Sequence, residues 1–405
     1  MTFVETIVHQ IPALSKPRRD FLIALFAALS CFVGRATMLN LSRFGAGSPR
    51  RIDRWLRRPF DWKALNWAAL KHEGVTHHGL LACFDCSFLP KSGKHTWGKA
   101  TFYNGCASRP EPGCELASLG LLDPLEHTAY ALESWLTPAS FPEPEDPDQP
   151  PPTRTDFYAQ RVCLVASWLI ARGISHIVCD GGFANMKFLT QLDQTDLELI
   201  STLRRDSDMR FLYTGPRKKG PGRPKLYDGK VDWEDLSRFS SVECEDEGVE
   251  LWWADLNSRC FKRTLRVVVC LRGKDSRRRR KLLFTTDLTL EPLEVYQWYG
   301  LRFQHEFVFR DGKQYTGLAD GQMRDELKRT EFVNASLSAL NLMRLEERRG
   351  NPEGKPRVIS MSKWKRRRHA QHVAGRIFRA LGLDAQTLKT LPAYDALRRD
   401  DLIAS

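Results

Sequence analysis

Apolar residues recur at helical spacing in the first part of the chain. Lys16 to Gly34 reads as an apolar helix, and Ala36–Phe44 as a second, short one. After the turn Gly45-Ala-Gly-Ser-Pro, Ser48 can cap a helix over Pro49–Arg58, since serine accepts first-turn amides and proline suits the first helical position. From His78 the pattern changes to strands: His78–Phe88, then 97–106 and 114–122 as hairpin neighbours, then Thr128–Leu136. The acidic proline tract Phe141–Pro152 can be neither helix nor central strand and predicts an exposed loop. Asp156–Arg172 follows as an amphipathic helix closing at Gly173. Ser175–Cys179 is a short apolar strand that delivers Asp180 to Gly181-Gly182, ahead of a helix through Leu192. Residues 205–286 read as largely β, with strands over Leu251–Leu256, Thr264–Leu271 and Lys281–Thr286. A helix resumes from Glu291, and the tail is Arg-rich at Lys363–Arg368 before a helical end.

These periods predict an α/β protein in five stretches: a helical region 1–75, a mixed-sheet core 76–204, a β-rich insertion 205–286, a return to the core over 287–345, and a basic helical region 346–405. Sixty-two basic against 49 acidic side chains leave a formal charge of +13, which favours a polyanionic partner, nucleic acid ahead of a membrane surface. The most apolar run, Phe21–Val33, is shorter than the roughly twenty residues a membrane span needs, and reads as a buried helix. Ten scattered cysteines without a secretory signal suggest reduced thiols and a cytoplasmic setting. Cys83, Cys86, Cys106 and Cys114 faintly resemble a four-thiolate zinc set. On a strand, however, residues three apart project to opposite faces, which disfavours that reading.

Three acids stand out by position: Asp85 inside an apolar strand, Asp180 at the end of another, and Glu306 on a polar helix stripe with Tyr299, Arg302 and Lys313. Carboxylates gathered together repel unless cations intervene, and Mg²⁺ accepts a few of them while keeping water and phosphate oxygens. The alternative for the stripe is a solvated face with an ordinary Arg–Glu pair. Lys91, Lys94 and His95 could add phosphate contacts or form a solvated turn around Gly93. Arg50, Arg51 and Arg54 lie on a basic helix after a glycine turn, compatible with a helix-turn-helix reader of DNA. Gly220-Pro-Gly-Arg-Pro-Lys, with Arg223, resembles the core of a minor-groove hook, and equally a flexible loop.

Cys83–Gly98, Cys179–Asn185 and Tyr299–Gly317 together resemble three signature blocks of bacterial insertion-sequence DDE transposases with an RNase H-like catalytic fold. The subgroup is the insertion-sequence-four family, whose Y-R-E-K signature has two, three and six residues between its members, as do Tyr299, Arg302, Glu306 and Lys313. The resemblance implies that Asp85, Asp180 and Glu306 are catalytic and hold Mg²⁺ (or Mn²⁺), two ions per site, while Tyr299, Arg302 and Lys313 contact phosphates. It also implies a β-rich insertion between the second and third acids, which lie 126 positions apart. From that insertion Trp252 and Trp253 are candidates to stack on a flipped base, with core tryptophan as the alternative. The expected activity is DNA transposition: cleavage at the terminal inverted repeats and strand transfer to target DNA, by a homodimer, in the bacterial cytoplasm at the nucleoid. Rival readings are a metal-dependent nuclease that does not join strands, a catalytically inactive DNA-binding protein, and the zinc-binding regulator.

Overall fold

The computed structural model describes residues 2–144, 146, 148–216, 224–273, 279–349 and 360–383. Five helices open the chain: α1 (Phe3–Gln10), α2 (Lys16–Cys31), α3 (Met38–Arg43), α4 (Pro49–Leu56) and α5 (Trp62–His72). Each of the last three has a side chain at its entrance accepting a first-turn amide, from Thr37, Ser48 and Asp61. The expected Ser48 cap is present, with Arg51 N–H donating to its Oγ at 3.2 Å.

The sheet core follows as β1 (Leu81–Pro90), β2 (Ala100–Asn104), β3 (Arg109–Asp123) and β4 (Thr128–Leu136). Helix α6 (Arg154–Ile170), β5 (His176–Cys179), α7 (Met186–Leu192) and β6 (Glu198–Leu203) complete it. β1 pairs antiparallel with β3 and parallel with β5, β5 pairs parallel with β6, and β4 pairs antiparallel with β3. The resulting order β4-β3-β1-β5-β6 is that of an RNase H-like core. β1 at its centre is buried on both faces, which explains its near-continuous apolar sequence.

The chain then adds β7 (Met209–Leu212), β8 (Tyr227–Lys230), β9 (Ser240–Val242), β10 (Val249–Ser258), β11 (Arg263–Arg272) and β12 (Arg279–Thr285). β12 pairs antiparallel with β6, so the inserted strands extend the core sheet to twelve strands rather than forming a detached layer. Four helices follow among the described residues: α8 (Pro292–Leu301), α9 (Phe303–Tyr315), α10 (Glu326–Arg348) and α11 (Met361–Ala380). Among the described residues, no helix is long and apolar enough to cross a membrane.

Helix α10 covers the free edge of β4. Asn341 accepts from Ala131 N–H at 3.1 Å and donates to Ala131 C=O at 2.7 Å, and Asn334 does the same at Ser134. Arg344 donates to Ala129 C=O at 2.6 Å. Side-chain amides thus stand in for the strand that would otherwise satisfy this edge. The other side of α10 receives the N-terminal helices, through Trp62 Nε1 to Glu331 (3.1 Å) and Lys328 to Asp53 (2.6 Å).

One sequence expectation about the helices needs correction. Tyr299 to Lys313 does not lie on one uninterrupted helix, because Arg302 is the joint between α8 and α9. There the amides of Arg302 and His305 donate three residues back, to Tyr299 and Arg302 carbonyls, which tightens the turn. Gly312, a residue that could be expected to break a helix, lies inside α9 and is buried. A Cβ there would come 3.1 Å from Leu337 and 3.2 Å from Leu318, so the glycine lets α9 pack closely.

Candidate active site

Strand pairing brings the first two acids together. β1 and β5 run parallel with Phe84 opposite Cys179, so Asp85, midway along β1, lies beside Asp180, the first residue past β5. In α/β sheets the carboxyl ends of parallel strands are where ligands collect. The turn after β5 is tight: Gly182 N–H donates to Asp180 Oδ1 at 2.7 Å, and a Cβ on Gly181 would sit 2.7 Å from Thr202 Oγ1. That close approach, not a left-handed backbone, is the reason for the glycine pair.

Helix α9 brings the third acid. It packs close to the sheet because β3 has a glycine beneath it; a Cβ on Gly120 would lie 2.4 Å from the buried His305 ring. Asp311 of α9 pairs with Arg344 of α10 at 2.8 Å, both buried, and fixes the helix from its other side. Glu306 then faces the strand ends, with a side chain 42% exposed, whereas that of Asp85 is 12% exposed.

Arg302 joins these groups. One terminal nitrogen donates to Asp85 Oδ2 and the other to Glu306 Oε1, each at 2.7 Å. The second oxygen of Asp85 accepts the Cys86 amide at 2.8 Å. Burial pushes the Asp85 carboxyl up to about 7; Arg302 opposes this, and the nearby Asp180 and Glu306 charges add to it. A single guanidinium therefore bridges two of the carboxylates, and Asp180 on the adjoining strand adds a third charge near Asp85. The donor set is all carboxylate oxygen at strand and helix ends, which suits a hard divalent cation such as Mg²⁺ or Mn²⁺.

Around the acids stand basic and phenolic groups. Lys313 donates to Ser87 Oγ at 2.8 Å, two residues along β1 from Asp85. Tyr299 is buried beside Thr202 and Arg302, and burial pushes its phenol up while Arg302 opposes this. Lys281, from β12, holds its ammonium 4.4 Å from the centre of the Tyr299 ring. The sequence marks Lys281 only as the start of a strand; its place in the site follows from β12 pairing with β6, which no local pattern announces. Beside Tyr299 opens a cavity of about 980 Å³ whose lining includes Arg205, Arg272, Arg279, Lys281, Tyr296 and Trp298.

The other sequence candidates lie elsewhere. Lys91 turns inward, donating to the carbonyls of Ala319 and Gly321 at 2.6 and 2.7 Å, and tethers the end of β1 to the loop before α10. Lys94 is exposed on the β1–β2 loop. Arg50 and Arg54 are exposed on α4 and Arg51 is half-buried, while Arg223 lies outside the described residues. Trp252 and Trp253 are half-buried on opposite faces of β10, Trp253 under Arg266 at 4.5 Å; neither lines the basic cavity. Cys83 and Cys86 also face opposite cores across β1, so they cannot share one ion.

One acidic group was missed. His78, Asp123 and Glu126 have ligand atoms within 4.8 Å of one another at the β3–β4 turn. His78 Nδ1 lies 2.8 Å from Asp123 Oδ2, Asp123 Oδ1 accepts the amides of Leu125 and Glu126, and Arg348 donates to Glu126 at 2.9 Å. A cation, the Arg348 guanidinium, is already seated there, and the group ties the hairpin to the end of α10.

A mixed sheet in this strand order, with Asp85 and Asp180 on adjoining parallel strands and Glu306 tied to Asp85 through Arg302, is consistent with a nuclease-type core of the RNase H-like class. The sequence model for the DDE superfamily endonucleases matches residues 11–251, more than half of the chain, and the protein belongs to that family. Its members cleave DNA and generally use divalent metal ions. The matched span includes Asp85 and Asp180 and ends before Glu306, so the third acid stands on the geometry above. No curated protein matches the chain.

Proposed function

We propose that this protein is a DDE transposase of the Y-R-E-K subgroup, which binds the ends of its insertion element, cuts them, and transfers the freed 3′ ends to target DNA. The observation that supports the reading is Arg302 bridging Asp85 and Glu306, with Asp180 on the adjoining strand, beside a cavity lined by arginines. In this reading the three carboxylates hold the divalent ions, two of them roughly 3.5–4 Å apart in enzymes that work this way. When bound, the ions supply Lewis acidity to the attacking and leaving oxygens of the phosphodiester.

The chain's own residues position the strand. Arg302 and Lys313 offer charge-assisted donors to phosphate oxygens, and Lys281 adds a third cation over Tyr299. The basic cavity lies where a strand leading away from Arg302 would pass, and its acid, Asp246, is engaged by the Tyr296 hydroxyl at 2.6 Å. Tyr299 acts as a binder rather than a nucleophile, since burial pushes its phenol up and holds it protonated. Arg50, Arg51 and Arg54 on α4 would contact the element end, and a homodimer would hold two ends together.

The test is to incubate the protein with DNA carrying its element's flanks and Mg²⁺, and to map cuts on both strands. Defined cuts at the element ends are expected, and Asp180→Ala should abolish them while DNA binding persists. Cleavage near the original rate by Asp180→Ala would overturn the assignment. A second reading, cleavage without joining, is favoured by the family's endonuclease description. Supplying a pre-cut end with a target plasmid separates the two, since joined products require the transposase.

A further inference from the structure

Arg302 occupies the position between two of the three acids. Its two terminal nitrogens bond Asp85 and Glu306, so oxygens that would face a divalent ion are already taken. Its Nε is buried without an acceptor, so the guanidinium keeps one donor unsatisfied. Arg302 and Lys281 also crowd one ring, at 6.0 and 4.4 Å from the centre of Tyr299. A negatively charged oxygen acceptor entering beside Tyr299 would satisfy Nε and separate these two cations. A backbone phosphate has that chemistry, and it matches the arginine fork as well as a carboxylate does.

We propose that Arg302 is a placeholder that keeps Asp85 and Glu306 together in the DNA-free protein and resists divalent ions. A DNA phosphate draws the guanidinium away, so metal and DNA bind cooperatively. The inference rests on the acidic site being a metal site, as in the proposed function. Exchanging one fork partner for another costs little, whereas three carboxylates left without a cation repel strongly; the movement of Arg302 therefore favours uptake of an ion. By linkage, the metal must strengthen DNA binding by the same factor. The arrangement would leave the metal site weak until substrate has arrived, and so limit cleavage of unbound strands.

The test reads Mn²⁺ binding directly, through the electron paramagnetic resonance of the free ion, on the full chain. Wild type is measured alone and with a short mixed-sequence DNA duplex, beside Arg302→Gln, Arg302→Lys and Asp180→Asn. Wild-type affinity for Mn²⁺ should rise roughly tenfold or more with duplex, the scale of one charge-assisted contact. Arg302→Gln should bind Mn²⁺ without DNA about as tightly as wild type does with it. Should that variant fail to fold, Arg302→Lys decides: affinity above that of DNA-free wild type supports the placeholder, and equal affinity overturns it. Mn²⁺ binding that ignores both duplex and Arg302 but is lost in Asp180→Asn refutes the placeholder and leaves the metal site standing. If Asp180→Asn changes nothing, the metal site itself falls, and the placeholder with it.

Discussion

Glu331 makes the joint between the N-terminal helices and α10 sensitive to pH. Glu331 is buried, 5% exposed, with Trp62 Nε1 donating to it at 3.1 Å. Burial raises its carboxyl from 4.5 to about 7; the Phe60 amide, Trp62 and Arg18 oppose this, and Glu133 adds to it. A difference of about 2.5 units at about 1.4 kcal/mol each corresponds to roughly 3 kcal/mol. Because the folded value is the higher one, the folded state holds the proton longer. This group's contribution is complete below about pH 4.5 and is lost as the pH rises through about 7. Glu331→Gln keeps an oxygen acceptor for Trp62 and removes the charge. The variant should therefore gain on wild type by roughly 3 kcal/mol between about pH 4.5 and about pH 8. Denaturant unfolding of both proteins across that range checks it, since other titrating groups cancel in the difference. A gap that does not change with pH, or one that widens in favour of wild type, would refute the reasoning.

Three other outcomes follow from the packing. Asp311→Ala strands the Arg344 guanidinium without its buried partner and should cost about 3–5 kcal/mol in denaturant unfolding; a loss below about 1 kcal/mol would show the pair is not structural. Gly120→Ala would press a methyl group into His305 and displace α9, so nicking of DNA should fall more than thermal stability does; unchanged nicking would separate Glu306 from the chemistry. Arg50→Ala and Arg54→Ala should each reduce the logarithmic salt slope of DNA binding by about one unit without altering the melting temperature, and an unaltered slope removes α4 from the DNA surface.

Much of the core was legible because its residues obey local rules. The strand at Thr128–Leu136 and the capped helix after Ser48 were found at their observed positions, since alternation and capping are properties of neighbouring residues. The inserted strands Leu251–Leu256 and Thr264–Leu271 also lie within β10 and β11. Local rules do not report which strand an insertion pairs with, so the continuation of β6 into β12 was invisible, and with it Lys281. The kink at Arg302 was hidden too, because its residues have ordinary helix propensity. Asn334, Asn341 and Arg344 are polar helix residues that no local pattern marks for burial. Only the unpaired edge of β4 explains why they are buried. Of the candidate site, the acids could be named individually, but that one guanidinium holds two of them is a fact of the folded chain alone.

The central claim is that Asp85, Asp180 and Glu306 seat a divalent ion together. Iron-directed backbone cleavage tests it most directly: Fe²⁺ replaces the native ion in the presence of a DNA duplex, and ascorbate with peroxide generates radicals that cut the nearest peptide bonds. Cuts are expected beside Asp85, Asp180 and Glu306, all lost in Asp180→Asn. Cuts beside His78 and Asp123–Glu126 instead, or cuts at the three acids that survive Asp180→Asn, would contradict it.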